Sequence, residues 1–515
     1  MVDHTPQRIV ASPAPADSAG REVIGDHQPP VPCSLIIHGH FYQPPREDPL
    51  TGMIPDEPGA APYANWNERV HAECYRPNAE LGNFEYISFN VGPTLFNWMQ
   101  AYDPITYRRI LAQDQTNVER FGVGNAIAQA YNHTILPLAT RADKVVQVVW
   151  GIADFEHRFG RKPQGMWLPE TAVNTETLEV LSEQGIEFTI LAPWQAKTVD
   201  LDPTEPYWVR LPNGHRIVVF FYHGELSAGI SFNTRLTSNA YTFVTDNLLG
   251  QFKREKVQNG YPQVLTLASD GELYGHHQTF RDWFLAYLVH GANARSGIQV
   301  TFPALWLLEH TPRYTVEIRE NTSWSCHHGV SRWQAACDCT PNTGLWKAHL
   351  RRALNRLAVK LDELYLETLS PLGIDPWRLR ERYIHVILGE ITLEELISQY
   401  RLPDQHPSAE IADLSPEQGG SIALLLESQW ERQRMFTSCG WFFEDFDRIE
   451  PRNNVAYAAQ AVWLAQQAVG VDLAPAAMAD LYRVVSKRSG LRGDLVFERY
   501  LHRAQKSGKM VSWRV

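Results

Sequence analysis

Seven short apolar runs recur along the first three hundred residues: CSLII (33–37), YISFN (86–90), GMWLP (165–169), EFTILA (187–192), RIVVFFY (216–222), QVLTLAS (263–269) and IQVTF (298–302). Their apolar character is nearly continuous rather than alternating, the pattern of strands buried on both faces of a parallel sheet. Helical patterns lie between several of them. Asn174 or Thr175 can cap NTETLEVLSEQG, which stops at Gly185 just before the next run. Strand followed by helix over roughly 280 residues predicts a parallel α/β barrel.

Beyond residue 310 the texture changes. Leu345, Leu350, Leu354, Leu357, Leu361 and Leu364 fall on one helix face. Further helical stretches are predicted near 415–436, 454–469 and 475–487, with a Pro- and Asp-bearing break near 403–416. Residues 1–32 are rich in Pro, Ala, Asp and Ser without periodicity and read as a disordered arm. The expected organisation is therefore an arm (1–32), a barrel (33–310) and a mainly helical domain (311–515) that contributes to the active-site cleft.

Composition narrows the function. Of 515 residues, 47 are Lys or Arg and 58 are Asp or Glu, a net charge of −11. That balance argues against nucleic-acid or anionic-membrane partners, which need clustered positive charge. No apolar run reaches the length of a membrane span, and the first thirty residues lack the apolar core of a secretory signal. Six cysteines make no disulfide framework, so a cytoplasmic location is expected. The 16 Trp, 20 Tyr and 21 Phe suit stacking on sugar rings, although aromatics also fill cores. Oligomeric state is left open.

Three segments concentrate polar chemistry at predicted strand ends. His38-Gly39-His40 places two histidines on one strand face, where they can bind hydroxyls or a metal, or be satisfied by backbone. Glu170, ending GMWLPE beside Trp167, can serve as nucleophile, base or salt-bridge partner. Asp270-Gly271-Glu272-Leu273-Tyr274-Gly275-His276-His277 supplies two carboxylates and two histidines, with a helix N-terminus dressed with acids as the structural alternative. One carboxylate after each of two strands is what glycosidic cleavage requires. No phosphate loop and no H-E-x-x-H occur, and Gly122-Val123-Gly124 lacks the third glycine of a dinucleotide fingerprint.

HGHFYQPP, GMWLPE and DGELYGHH resemble the motifs of glycoside hydrolase family 57, a retaining family acting mostly on α-glucans. The resemblance covers roughly residues 34–335. It implies an incomplete (β/α)7 barrel, with Glu170 as nucleophile and Asp270 as general acid/base. His38 and His40 match the family's first motif. His133, before Leu136-Pro137-Leu138, resembles the second, and Trp324, with Trp333 a further candidate, resembles the fifth. Trp167, Glu272 and His276 join these as substrate-binding candidates, Glu272 being expected to orient substrate or a histidine. His38, His40 and His133 should line one pocket, and a retaining enzyme holds its carboxyls about 5–5.5 Å apart. The region Cys326, His327, His328, Cys337 and Cys339, together with MFTSCGWFFEDF (435–446), resembles a subgroup with a helical C-terminal extension.

The implied function is an α-glucan hydrolase or transglycosylase, of amylase, 4-α-glucanotransferase or branching type, with an oligo- or polysaccharide substrate. Two alternatives stand beside it: a metal-dependent polysaccharide deacetylase using His38, His40 and Asp270 as ligands, and a non-catalytic carbohydrate-binding barrel. The Cys/His region could hold zinc with Cys439 nearby, but C-x10-C-x-C lacks paired C-x2-C spacing, and thiols lining a pocket wall is the preferred reading. No metal and no cofactor are expected.

Overall fold

The computed structural model describes residues 33–340, 344–401 and 414–507. The arm expected over 1–32 and nearly all of the break near 403–416 lie outside the described residues.

All seven predicted runs form strands: β1 (Cys33–Phe41), β2 (Ser88–Val91), β4 (Met166–Trp167), β5 (Phe188–Leu191), β7 (Arg216–Phe221), β8 (Gln263–Asp270) and β9 (Ile298–Thr301). Three more were not anticipated: β3 (Ala128–Gln129), β6 (Pro206–Arg210) and β10 (Tyr314–Thr315). β3 and β10 are two residues long, too short for any periodicity. β6 pairs antiparallel with β7 across a turn at Asn213-Gly214, where Gly214 takes φ 84°, and an Asn-Gly pair between apolar runs is itself a hairpin signal.

β1 is the hub. It pairs in parallel with β8 along its length, from Cys33↔Gln263 to His40↔Asp270. Its other edge carries β9 at Cys33–Ile36 and β2 at His38–Phe41. Parallel bridges Phe89↔Ala126 and Gly165↔Phe188 continue the order from β2 to the β3–β4 pair and on to β5, which pairs in parallel with β7. Among the described residues the ladders fall into three sheets, and none joins β7 to β8. There the contact is the His223 N–H donating to the Thr266 carbonyl at 2.7 Å. The fold is thus mixed α/β, with the parallel strands' C-terminal ends grouped on one side.

The second half is helical. The helix Trp346–Leu369 buries Leu350, Leu354, Leu357 and Leu361. They pack with Ile422, Leu425 and Leu426 of the helix Pro416–Arg434 and Val455 and Val462 of the helix Ile449–Val469. Each such side chain contributes ~1.5–3 kcal/mol through burial. Helix 475–487 is shorter than expected, spanning Pro475–Leu481, because the chain turns to form the Val485↔Arg492 bridge. Among the described residues no helix is long and apolar enough to cross a membrane.

The halves meet along the helix Arg141–Phe159, which packs on the helix Pro376–Ile387. Arg432 grips Asp143 with two hydrogen bonds, 2.7 and 3.1 Å, and reaches Asp362 at 2.6 Å. Arg380 adds ion pairs to both carboxylates at 3.3 Å. Burial alone would raise the Asp143 carboxyl, but Arg432 and Arg380 hold it below the usual range. Two cations facing two anions make this junction charge-balanced, the condition under which buried charge is tolerated.

Candidate active site

His38 and His40 alternate along β1 and point the same way, in register with Ser88 and Asn90 of β2. Both rings are buried, and burial lowers their basicity to pKa values of about 3, so they are neutral near pH 7. Burial likewise pushes His133 well down. Neutral rings fix the direction of the hydrogen bonds assigned through them. The Ser88 hydroxyl donates to His38 Nδ1 (3.0 Å), and His38 Nε2 donates to Asn90 Oδ1 (3.1 Å). Asn90 Nδ2 donates to His40 Nδ1 (3.0 Å) and to Gln129 Oε1 (2.7 Å). His40 Nε2 donates to His133 Nε2 (3.2 Å), whose Nδ1 donates to Ser438 Oγ (2.6 Å). The three histidines thus share one buried network. Neither His38 nor His40 keeps a ring nitrogen for a metal, as the deacetylase alternative requires.

Trp167 is wholly buried beneath this layer. Its indole stacks on His38 (4.7 Å between centroids) and His40 (5.0 Å), and Trp324 meets it edge-on at 5.1 Å. It is a floor supporting the histidines rather than a surface for a ring.

Glu170 follows β4 with φ 58°, and Thr171 with φ 47°. Consecutive non-glycine residues in the left-handed region are strained, most of all a β-branched threonine, and persist only where surroundings over-determine them. Here Thr171 Oγ1 donates to Gln195 Oε1 (2.9 Å), and the Trp324 N–H donates to the Glu170 carbonyl (3.0 Å). The Val173↔Thr322 bridge brings the segment after β10 alongside. The resulting turn presents the Glu170 carboxylate with both Trp324 Nε1 (2.9 Å) and Ser325 Oγ (2.7 Å) donating to Oε2. No described residue donates to Oε1. Burial raises the carboxyl, and these donors and Arg332 oppose the rise.

Asp270 ends β8 beside His40. Gly271 follows because a Cβ there would lie 2.3 Å from the Phe41 ring. By surface area Asp270 is solvent-accessible, yet protein atoms surround it in a concavity. This crowding and the charges of Glu272 and Glu170 hold its carboxyl well above the usual range. Buried Tyr222, at the end of β7, feels the Asp270 charge in return.

Glu272 departs from its expected role. It accepts from the Tyr75 hydroxyl (2.6 Å) and the Tyr42 backbone N–H (3.1 Å) and is buried, its pKa raised by that burial to about 7. It anchors the loop after β1, and its contacts include no histidine ring. His276 pairs with Glu73, with Trp66 edge-on at 5.9 Å. Trp333 does not join the site. It is fully buried in the helical core, and its carbonyl accepts from Arg351.

Cys326, His328, Cys337 and Cys339 gather just after Trp324, without His327. Cys439 lies elsewhere, beside Tyr42 and under the influence of Glu170. Residues not singled out from the sequence also stand in the site: Tyr42, whose ring stacks on His133 at 3.8 Å, Asn90, Tyr222, Ser325 and Ser438. Asn90 and Tyr222 end predicted strands, a position that signals them; Ser438 lies inside the segment 435–446 that carries part of the resemblance. A separate cavity of about 630 Å³, lined by Trp208, Arg216 and His310 at the opposite ends of the strands, contains none of these residues.

Residues 67–319 match the family model for glycosyl hydrolase family 57, and residues 343–514 match a domain of unknown function, DUF3536. A 4-alpha-glucanotransferase from Thermococcus litoralis is 26% identical over 145 residues, 27% of this chain and 21% of that protein. The match therefore spans about a fifth of that relative's length. Among solved structures, an exo-type maltose-forming amylase from Pyrococcus sp. ST04 superposes with a TM-score of 0.68 at 16% identity, covering 91% of this chain and 88% of the other. A branching enzyme from Pyrococcus horikoshii gives 0.57 at 16% identity, covering 92% and 94%.

Proposed function

Residues 67–319 belong to glycosyl hydrolase family 57, and we propose that the protein is a retaining enzyme acting on α-1,4-linked glucans by double displacement. The fold is read as an incomplete (β/α)7 barrel over 33–310, open at β7 and β8, with the helical part closing the cleft. The observation that supports the mechanism is a pair of carboxyls at strand ends: Glu170 is held through one oxygen by Trp324 and Ser325, and Asp270 is kept protonated by burial and by the charges of Glu272 and Glu170.

In the first step Asp270 donates its proton to the glycosidic oxygen, while Glu170 Oε1 attacks the anomeric carbon and the leaving sugar departs. Ser325 and Trp324 hold Oε2, so the free oxygen is aimed and the negative charge is kept on the nucleophile. Esterification removes the Glu170 charge. Asp270, left as a carboxylate by that donation and relieved of the repulsion, takes a proton from water or a sugar hydroxyl as it attacks the glycosyl-enzyme. Tyr222 and exposed Trp194, whose rings lie 6.0 Å apart, extend an aromatic wall from Trp324 on which glucose units can stack.

Product analysis after incubation with maltooligosaccharides and amylose tests the reading. Longer and shorter chains together mean transfer, new α-1,6 links mean branching, and shorter chains alone mean hydrolysis. First-formed product of inverted anomeric configuration by proton NMR would overturn double displacement.

A further inference from the structure

We propose that Cys326, His328, Cys337 and Cys339 form a closed four-ligand zinc site that fastens the segment presenting Trp324 and Ser325 to Glu170. Their ligand atoms all lie within 4.8 Å of one another. Cys326 Sγ is 3.5 Å from Cys337 Sγ, and His328 Nδ1 is 3.2 Å from Cys337 Sγ and 3.3 Å from Cys339 Sγ. Zinc bonds of about 2.3 Å to sulfur and about 2.0–2.1 Å to nitrogen give a tetrahedron with edges of about 3.5–3.8 Å. The three close contacts are near such edges, and small side-chain rotations complete the rest. Three thiolates and one imidazole are a soft donor set that selects zinc, and four protein ligands leave no open position for catalysis.

The chain around the cluster is built to hold it. Two short pairs, Cys326-x-His328 and Cys337-x-Cys339, supply the ligands. Between them the chain reverses at Gly329 (φ 74°), where a Cβ would meet the Asn321 carbonyl at 2.3 Å. Val330 and Trp333 then bury themselves in the helical core and pin the middle of the loop. Charge supplies an independent argument. Zinc binding displaces three thiol protons and leaves a group of net charge −1. Two cations stand beside it: Arg332 donates to the Cys339 carbonyl (3.1 Å), and Lys347 donates to Thr340 Oγ1 (3.3 Å). Lys347 is fully buried, and the groups whose charge bears on it are Arg332, Cys337, Cys326 and Glu444. A buried ammonium calls for a nearby anion, and the zinc–thiolate group is one.

The catalytic consequence rests on the proposed glycosidase reading, because Ser325 directly precedes Cys326 and donates to Glu170. The metal itself does not, and the test separates the two. The full chain, purified under reducing conditions without a histidine tag, should carry about one zinc by elemental analysis, released when a mercurial blocks the thiols. Cys337→Ser should weaken zinc affinity by more than about a hundredfold, beyond the range of outer-shell changes. His328→Ala, at an exposed position, tests the same ligand set with less risk to folding, and His327→Ala should keep its zinc. Cobalt(II) in place of zinc should give the visible spectrum of a tetrahedral thiolate site.

A folded, reduced chain that takes up no zinc on reconstitution would overturn the proposal, as would a Cys326–Cys337 disulfide by mass spectrometry or full zinc retention by His328→Ala. Zinc present in a chain inactive on every α-glucan would leave the site standing and sink the glycosidase reading instead.

Discussion

His40 and His133 face each other through their Nε2 atoms, 3.2 Å apart. One must donate and the other accept, so the pair cannot hold a second proton without breaking the contact. The donation runs in one direction from Ser88 to Ser438, crossing from the sheet into the helical half. Burial enforces it by lowering the basicity of both rings.

The histidine network should therefore make stability fall on acidification below the ordinary histidine pKa. The folded pKa of His40 is about 3 against an ordinary 6.5, so the unfolded chain binds more protons throughout that window. Stability is complete above pH ~6.5 and declines as pH drops toward the folded value. Melting temperatures measured from pH 7.5 to 4.5 should show this slope, and His133→Gln should flatten it. An unchanged slope in that variant would mean the pair does not control it.

Glu170→Gln should lower turnover on maltooligosaccharides by several orders of magnitude, with melting behaviour preserved. Ser325→Ala removes one of two donors on Oε2. A hydrogen bond to a charged group contributes ~1.5–3 kcal/mol, so the rate should fall roughly 10- to 150-fold. Its acid limb should move to higher pH, because the carboxylate loses a partner for its charged form. Rates equal to wild type in either variant would refute the assignment.

Asp270→Asn and Glu272→Gln should separate chemistry from scaffolding. Asp270→Asn should abolish turnover of natural glucans while leaving the fold. In the wild type the rate should decline as pH rises through the raised Asp270 pKa, since the acid must be protonated. Glu272→Gln should keep measurable turnover and lose stability, because Tyr75 and the Tyr42 amide lose their carboxylate. The opposite pattern would exchange the roles.

Asp143→Ala should destabilise by about 3–5 kcal/mol, since it leaves two buried guanidinium groups, Arg432 and Arg380, with Asp362 as their one remaining carboxylate partner. Urea denaturation measures it. Because Arg432 and Arg380 hold the Asp143 carboxyl down, this contribution is present above the ordinary carboxylate pKa near 3.8 and is lost as pH falls through the lower folded value.

The strands that frame the site were legible because burial on both faces leaves near-continuous apolar runs, as in QVLTLAS. Glu170 and Asp270 were legible as carboxylates placed where such runs end. Glu272 and Trp333 were not. A local motif does not reveal that Tyr75, 197 residues away, claims one side chain, or that the helical core encloses the other. The cysteine and histidine cluster is visible in the sequence, but its irregular spacing argues against a metal site, and the Gly329 reversal that gathers four of its members is a backbone feature. Helices Pro376–Ile387 and Gly493–Ser507 also went unread, although Asp375 followed by Pro376 is a start signal.

The bonds that join the sheet to the helical half span long stretches of chain. Ser438 lies 305 positions from His133, Asn453 is 408 from the Pro45 carbonyl it donates to, and Arg503 is 455 from Asp48. Loop closure over such separations is slow compared with forming local helices. On refolding, circular dichroism should therefore recover first and glucan turnover last, when these distant segments dock. During synthesis the same order holds: the last long strand, β9, leaves the ribosome more than a hundred residues before Ser438, the partner of His133, and competence waits for the helical half.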